Sequence, residues 1–326
     1  MCKFKKETKK IVFLNFIYLI GLCFLISTDS AADSTHSKYN HFYFGRYTLD
    51  APSNGKDLWS SFKIIEKKIE LISKNGKYDL PIKISESIAK IDKFHSSGYA
   101  AYDRTVELEG GGAIIVSKST SYTMEIYYLT PKNMLYRQTV DAISIKGIDK
   151  AITRAKELNK LIHYRNPTDA PPNGTFSIEA GYINLPIDKF QEQVSIGLPV
   201  SSVPGINLAF DTQLIGKPEP GLIARYEQRS TGTLLPTLQK ILSKSTLIRK
   251  SQREVAGLKF EELLLKTNVE GQTAYSFRLE YPGTPNSSLE PYTVLELSTI
   301  DVTSGFKSDK EAVDFWDKLV ESIKRI

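Results

Sequence analysis

Residue types that could do chemistry occur in this chain of 326 residues, but their spacing matches no catalytic motif. A hydrolase of the α/β type carries its serine in a Gly-x-Ser-x-Gly turn between a strand and a helix, and the sequence contains no such turn. Ser195 lies instead in a strand-like stretch, 194–197, which indicates a structural role. The glycines at 110–112 precede a strand pattern, so no helix dipole would hold a phosphate there.

Metal-ligand and paired-carboxylate patterns are equally uninformative. The four histidines, at positions 36, 41, 95 and 163, do not have the spacing of metal ligands. The carboxylates Glu261-Glu262, and those at 66 and 70, are typical of solvated faces and do not by themselves indicate a glycosidase. The sequence therefore predicts no metal, no cofactor and no enzyme.

Tyrosine is the most suggestive residue type. The chain has 17 tyrosines and 15 phenylalanines but only two tryptophans. Many of the tyrosines lie near Pro or Gly, outside the helical patterns. Tyrosine supplies contact area at binding hot spots, yet it is also common in strands, so both explanations stay open.

The N-terminal segment predicts export. Five lysines between positions 3 and 10 precede an apolar run, Ile11 to Ile26, which is followed by Ser30-Ala31-Ala32. A basic region, an apolar region and a small-residue site together are typical of a secretory signal peptide. The run includes Asn15 and is shorter than the ~20 residues that a spanning helix needs. We expect cleavage near Ala32 and a periplasmic protein that begins at Asp33.

Removal of residues 1–32 changes the composition of the protein. Both cysteines, Cys2 and Cys23, lie in that segment, so the exported chain cannot form disulfides. Lipidation of Cys23 is disfavoured because Leu22 stands where a small residue is expected. Five lysines and two acidic residues are also lost, which leaves a net charge of +3. No block of like charges remains, so neither nucleic acid nor a membrane is the predicted partner.

Periodicity predicts two domains of the α+β class. Three prolines in 166–175 indicate a linker between an N-terminal domain, 33–165, and a C-terminal domain, 176–326. Apolar residues predict a helix after Asp149 and another after the capping box Ser308 to Glu311. The spacing of Leu58, Phe62, Ile65, Ile69 and Ile72 predicts a third helix, and residues 234–242 a fourth.

The remaining patterns predict antiparallel strands. Residues 112–129 and 259–281 have the pattern of hairpins, and each hairpin is followed by one more strand and a helix. Residues 42–52 and 176–186 also share a strand that leaves through a proline turn. Hairpins without regular alternation with helices favour antiparallel sheets packed with helices, and the two halves are consistent with a diverged duplication.

Three stretches of the C-terminal half resemble a known family. They are DKFQEQVSIGLPV (188–200), FDTQLIGKPEPGLIARYEQR (210–229) and YPGTPNSSLEPYTVLELSTIDVTSGFK (281–307). With the segments near 255–258 and 261–263, they are similar to the C-terminal domain of immunity proteins against type VI secretion lipase effectors. The opening FGRYTLDAP (44–52) is similar to the N-terminal domain of that family.

This resemblance implies a periplasmic immunity protein. Such a protein binds a phospholipase injected by a neighbouring cell, and its two domains are expected to grip the effector over its lid region. We place the contacts in two loops rich in Pro, Tyr and charge, one near 217–229 and one from 281 to 292. The candidate partner-binding residues are Glu219, Arg225, Tyr226, Tyr281, Asn286, Glu290 and Tyr292.

Other functions stay open at the level of sequence. An envelope lipid- or ligand-binding protein would need an apolar cavity, and an enzyme would need converging polar groups in a pocket. A sugar-binding module would expose tryptophan. The two tryptophans, Trp59 and Trp316, stand at positions with helical spacing, which predicts that both lie in the core.

Overall fold

The structure is a computed structural model that describes residues 39–95, 100–186, 189–229, 245–269, 272–299 and 305–326. The N-terminal half contains β1 (Asn40–Phe44), β2 (Tyr47–Ala51), β3 (Trp59–Ile64), β4 (Lys67–Ser73), α1 (Gly76–His95), β5 (Ala101–Glu107), β6 (Ala113–Lys118), β7 (Tyr122–Leu129), β8 (Leu135–Ile143), α2 (Ile148–Leu161) and β9 (Ile162–Tyr164). The C-terminal half contains β10 (Phe176–Ile178), β11 (Gly181–Ile183), β12 (Glu192–Pro199), β13 (Ile206–Gln213), α3 (Leu222–Arg229), β14 (Ser245–Val255), β15 (Leu258–Val269), β16 (Gln272–Tyr281), β17 (Tyr292–Thr299), α4 (Asp309–Ser322) and β18 (Lys324–Arg325).

Twelve strands form one sheet in the order β14-β15-β16-β17-β13-β12-β3-β4-β8-β7-β6-β5. Every neighbouring pair is antiparallel. The prediction of a mixed fold built on antiparallel strands is therefore confirmed. The sheet runs through both halves of the chain, because β12 pairs with β3 at its centre.

The two halves have the same order of elements. In the N-terminal half the pair β3–β4 is followed by α1 and four strands, and the last of these, β8, pairs with β4. In the C-terminal half the pair β12–β13 is followed by α3 and four strands, and the last of these, β17, pairs with β13. A helix and a short strand complete each half. If Phe42 is aligned with Phe176, Ser61 is aligned with Ser195. These two serines are direct cross-strand partners where β3 meets β12. The halves therefore meet with a local two-fold relation.

The hairpins that open the halves are exchanged. The first, β1–β2, pairs with β18 at the end of the chain, and the second, β10–β11, pairs with β9. Phe44 of the first hairpin packs against Phe210 with 4.8 Å between ring centroids. Phe176 of the second packs against Phe62 at 6.3 Å. Each half thus contributes to the core of the other.

Helix α4 closes the core of the C-terminal half. The Ser308 side chain accepts a hydrogen bond from the Glu311 amide, so the predicted capping box is present. Trp316 is fully buried, and its indole donates to Glu262 at 2.8 Å. The other predicted closing helix is α2, so both helices are confirmed. Asp149 is not its N-cap, however, because α2 begins at Ile148 and Asp149 lies in its first turn.

The predicted helix through residues 58–72 is wrong, because these residues form the hairpin of β3 and β4. His163 lies in β9, directly after α2. The sequence patterns did not indicate α1. The predicted helix 234–242 and the predicted signal peptide 1–32 lie outside the described residues.

The predicted linker is organised around Arg165, which is buried. Its Nη1 donates to the carbonyl oxygens of Asn166, Pro167 and Asp169, at 3.2, 3.0 and 2.7 Å. Its guanidinium lies 5.3 Å from the ring of Tyr43. A domain boundary at 166–175 stays a prediction, but the start of this segment is held by specific hydrogen bonds.

Candidate partner-binding trough

The two faces of the twelve-stranded sheet differ along its central strands. One face carries the apolar core, including Phe62, Val194 and Phe210. On the opposite face, side chains of β12 and β13 are half-exposed in strict alternation with buried ones. We call this half-exposed surface of β3, β12, β13 and β17 the trough.

Helices flank the trough on both sides. The cross-strand register places Tyr127, which donates to the Lys83 carbonyl of α1, on the same face as Ser61 and Ser195. It places Glu280, which binds α3, on that face as well. Tyr127 lies on β7 and Glu280 on β16, so seven strand spacings of about 4.8 Å, roughly 34 Å, separate these two anchor points.

Trp59 is the one large apolar side chain on the floor of the trough among the described residues. It is 57% exposed and lies against Gly197, where an added Cβ would be 3.8 Å from the indole. The surrounding floor consists of small side chains such as Ser61, Ser195 and Ala209. An exposed tryptophan on a flat floor of small residues has the character of a binding hot spot.

One end of the trough is polar. Lys63, Gln193, Gln213 and Asn286 line a cleft of about 500 Å³. Lys63 and Gln193 are cross-strand neighbours, as are Gln193 and Gln213, so their side chains form one row. Amide side chains both donate and accept hydrogen bonds, and this row can therefore bind the backbone of a partner segment.

Asp211 lies between the tryptophan end and the polar end. Burial raises the pKa of its carboxyl group, and the nearby charge of Glu296 acts in the same direction. A hydrogen bond from Ser195 and the positive charges of Arg278 and Lys63 oppose this shift. The trough therefore contains a carboxylate that is unfavourably desolvated when it is ionised.

Helix α3 is fixed to its side of the trough by two buried or half-buried carboxylates. Glu261 accepts a hydrogen bond from the Ile223 amide at 2.8 Å, which caps the first turn of the helix. Glu280 is fully buried and accepts two hydrogen bonds from Arg225 at 2.7 Å, in addition to bonds from Arg278 and Tyr292. The expectation that Glu261 and Glu262 form a solvated face is therefore wrong, since Glu262 is fully buried as well.

Four of the seven predicted contact residues lie in or near α3. Arg225 binds Glu280, and the Tyr292 hydroxyl is hydrogen-bonded to Glu280 at 3.2 Å and to Arg278 at 2.6 Å. Burial raises the pKa of Tyr292 to about 12. Tyr226 lies half-exposed on the helix, and Glu219 is exposed just before it.

The other predicted residues lie in the loop before β17. Glu290 accepts hydrogen bonds from Thr284 at 2.6 Å and from the Tyr281 hydroxyl at 3.2 Å. The Tyr281 ring packs 5.7 Å from Phe260. Asn286 lines the polar cleft. The structure thus does not gather the seven predicted residues at one point, and their role in binding stays a prediction.

Sequence reasoning missed the floor of the trough. Its residues come from four strands that are distant in the sequence, and Trp59 was assigned to a helix. Alternation of large and small residues in WSSFKI is the one signal that could have exposed its position.

Two further findings concern the described residues alone. None of their helices is long and apolar enough to cross a membrane, and no group of three His, Cys, Asp or Glu is arranged to hold a metal ion.

Comparisons with known proteins identify relatives of this fold. Residues 169–325 match the family model of the Tle cognate immunity protein 4 C-terminal domain. The apo structure of the immunity protein TplEi of the type VI secretion system (T6SS) from Pseudomonas aeruginosa has a TM-score of 0.74 and 22% identity, and the alignment covers 88% of this chain and 97% of that one. No curated protein matches the chain.

Two structures of complexes are similar to this chain. TplEi from Pseudomonas aeruginosa with an "L" peptide has a TM-score of 0.73 and 20% identity, covering 89% of this chain and 99% of that one. The Tle4–Tli4 complex contains a chain with a TM-score of 0.74 and 20% identity, covering 89% and 98%. At these identities the similarity shows a common fold.

Proposed function

Because residues 169–325 match the family model of the Tle cognate immunity protein 4 C-terminal domain, we propose that this chain is an immunity protein that binds and inhibits a type VI secretion lipase effector. The family match is the observation that carries this proposal. The fold supports it, since it extends over nearly the whole length of immunity proteins of known structure. Inhibition then requires binding alone, and the protein acts without catalysis.

We place the effector in the trough. One structure with this fold was determined as the Tle4–Tli4 complex and another with a bound peptide. A sheet surface with helices on both sides suits an inserted helix, loop or ribbon of a partner. Such a segment would contact Trp59 at one end and the amide row of Gln193 and Gln213 at the other.

Contact on both sides of the inserted segment would slow its release. The two halves can engage one partner together, so the second contact is intramolecular once the first has formed. An immunity protein must remain bound for as long as the toxin has access to lipid, which makes the dissociation rate the important quantity. We expect the complex to bury more than about 1,600 Å².

The site of action is the periplasm. Export rests on the signal-peptide pattern of residues 1–32 and on the cleavage site near Ala32. A lipase that acts on envelope lipid would meet its inhibitor in that compartment.

The repeated order of elements also supports a diverged duplication. Two copies of one ancestral unit, related by the two-fold relation at Ser61 and Ser195, would form a trough at their junction. Divergence of the two flanking helices would then let each side of the trough meet a different part of the effector.

The proposal is tested with the exported protein and the lipase encoded beside its gene. We expect the pair to co-elute, and hydrolysis of a soluble ester substrate to stop in the complex. Trp59→Ala should raise the dissociation constant by roughly 30-fold or more, as at a binding hot spot. Ile145→Ala is the matched control, because Ile145 is 61% exposed on the turn before α2, outside the trough.

Two results would overturn these assignments. Lack of binding to the neighbouring lipase would reject the immunity function, and bound lipid in the purified protein would then favour an envelope lipid carrier. Equal effects of Trp59→Ala and Ile145→Ala would show that the effector binds elsewhere on the surface.

A further inference from the structure

Helix α1 is apolar on two sides. Leu80 is buried, and Ile84, Ile88 and Ile91 pack with it against the sheet. Tyr78 and Ile82, one turn apart, point away from these residues and are 77% and 45% exposed. Phe94, in the last turn, is 49% exposed but lies on the same side of the helix as Leu80 and Ile91. A surface helix of a globular protein normally presents charged and polar side chains on its outer side.

The other described helices supply an internal comparison. α2, α3 and α4 have none of the large apolar side chains that are exposed on this chain, whereas α1 has three. Large exposed apolar side chains therefore distinguish α1 from the other described helices.

Lysines surround the exposed apolar residues. Lys74, Lys77, Lys90 and Lys93 are exposed, and Lys132 is exposed beside the start of the helix, where the Gly76 amide donates to the Asn133 carbonyl. The carboxylates of the helix offset this charge only in part. Asp79 accepts a hydrogen bond from Ser73 at 2.5 Å, and Glu86 pairs with Lys83, which leaves Asp92.

We infer that the outer side of α1 binds the surface of an anionic phospholipid membrane. Lysines attract anionic headgroups, while the tyrosine and isoleucine side chains enter the boundary between headgroups and acyl chains. The lysines and acidic residues of α1 alternate along the sequence, so no block of like charge indicated this surface. This inference goes beyond the binding of a lipase effector, and it would keep the protein at the lipid that such an effector attacks.

The test measures sedimentation of the exported protein with vesicles. We expect binding to vesicles of equal parts phosphatidylglycerol and phosphatidylcholine, little binding to phosphatidylcholine alone, and weaker binding as salt is added. Lys77→Glu with Lys90→Glu should lower the partition coefficient roughly ten-fold or more. Tyr78→Ser with Ile82→Ser should lower it by a similar factor without the change of charge. Soluble glycerophosphate should not compete, because the site binds a lipid surface.

A matched control reverses two positive charges elsewhere. Lys150→Glu with Arg154→Glu makes the same change of net charge on α2, whose exposed side lacks large apolar residues, and it should leave vesicle binding nearly unchanged. Equal losses in both pairs of variants would overturn the assignment to α1, as would equal binding to both kinds of vesicle. If the α1 variants lose inhibition of the lipase on a soluble substrate but still bind vesicles, α1 contacts the effector and the inference is wrong. Trp59→Ala separates the two functions, because it should weaken inhibition and leave vesicle binding intact.

Discussion

At the level of single residues, the two tryptophans show what helical spacing cannot decide. Both were predicted in the core, yet Trp316 is fully buried and Trp59 is more than half exposed. The apolar residues near Trp59 recur at helical spacing, which led to the prediction of a helix. In the structure they form β3 and β4, which are joined by a turn at Ile65 and Glu66, both with positive φ. Such a turn normally contains Asn or Gly, so Ile65-Glu66 did not indicate a hairpin.

The same substitution at the two tryptophans should have opposite effects on stability. Trp316→Ala removes a buried ring and the indole that donates to buried Glu262, and we expect a loss of roughly 3–5 kcal/mol in the free energy of unfolding. Trp59→Ala should change it little, because the ring is exposed. Urea unfolding of both variants measures the difference. A small loss for Trp316→Ala would place that ring outside the core.

Charge reversal separates two of the predicted contact residues. Arg225→Glu would put a second carboxylate against fully buried Glu280, so we expect a clearly lower melting temperature. Glu290→Lys, in the loop before β17, should change the melting temperature little, because its partners Thr284 and Tyr281 are neighbours in the same loop. Equal melting temperatures of the two variants would contradict the importance of the Arg225–Glu280 pair. Only the Glu290 variant can therefore test effector binding without a change in stability.

Asp211 should make stability depend on pH. Burial raises the pKa of its carboxyl group in the folded protein, so the folded state binds this proton more tightly than the unfolded state. The resulting stabilisation is present below the ordinary pKa of about 3.9 and is lost as the pH rises through the raised value. Asp211→Asn should therefore raise the melting temperature at pH 7, and the gain should disappear near pH 3.5. A gain that is the same at both pH values would show that ionisation of Asp211 is not its cause.

At the level of elements, the sequence predicted best where periodicity and caps agree. α2, α4 and the hairpins within 112–129 and 259–281 are confirmed, since their patterns are long and, for α4, the capping box marks the start. α1 was missed because Pro81 interrupts its first turns and its apolar residues lie on two sides. The trough could not be predicted, because it depends on the pairing of β3 with β12 across more than a hundred residues.

The anchoring of α3 can be tested at its first turn. Glu261→Ala removes the acceptor for the Ile223 amide, so the helix should fray from its N-terminus. We expect faster hydrogen exchange of the amides in 222–229, while exchange in β12 and β13 stays slow. Glu254→Ala, at an exposed position of the edge strand β14, is the control and should leave α3 unchanged. Unchanged exchange in the Glu261 variant would show that the Arg225–Glu280 pair holds the helix by itself.

At the level of the whole molecule, the exchange of hairpins joins the two halves more closely than the sequence suggested. β1 and β2 belong to the N-terminal half by position but to the core of the C-terminal half by contact. Arg46, between these strands, binds Glu192 at the start of β12 and the Leu185 carbonyl. A proline-rich segment marks a possible boundary in sequence, whereas contacts of this kind are set by the fold and leave no local pattern.

We therefore expect the halves to unfold together even when the chain between them is cut. A protease site inserted after Ala170, which is exposed, allows specific cleavage of the folded protein. The two fragments should co-elute on size exclusion and melt in one transition at nearly the temperature of the uncut protein, because β3–β12 pairing and both exchanged hairpins survive the cut. A variant with Phe44→Ala and Phe176→Ala, which weakens both hairpin contacts, should separate after cleavage while remaining folded before it. Two independent transitions in the uncut protein would mean that the halves are separate domains in stability as well as in sequence, and that the trough can open without loss of either core.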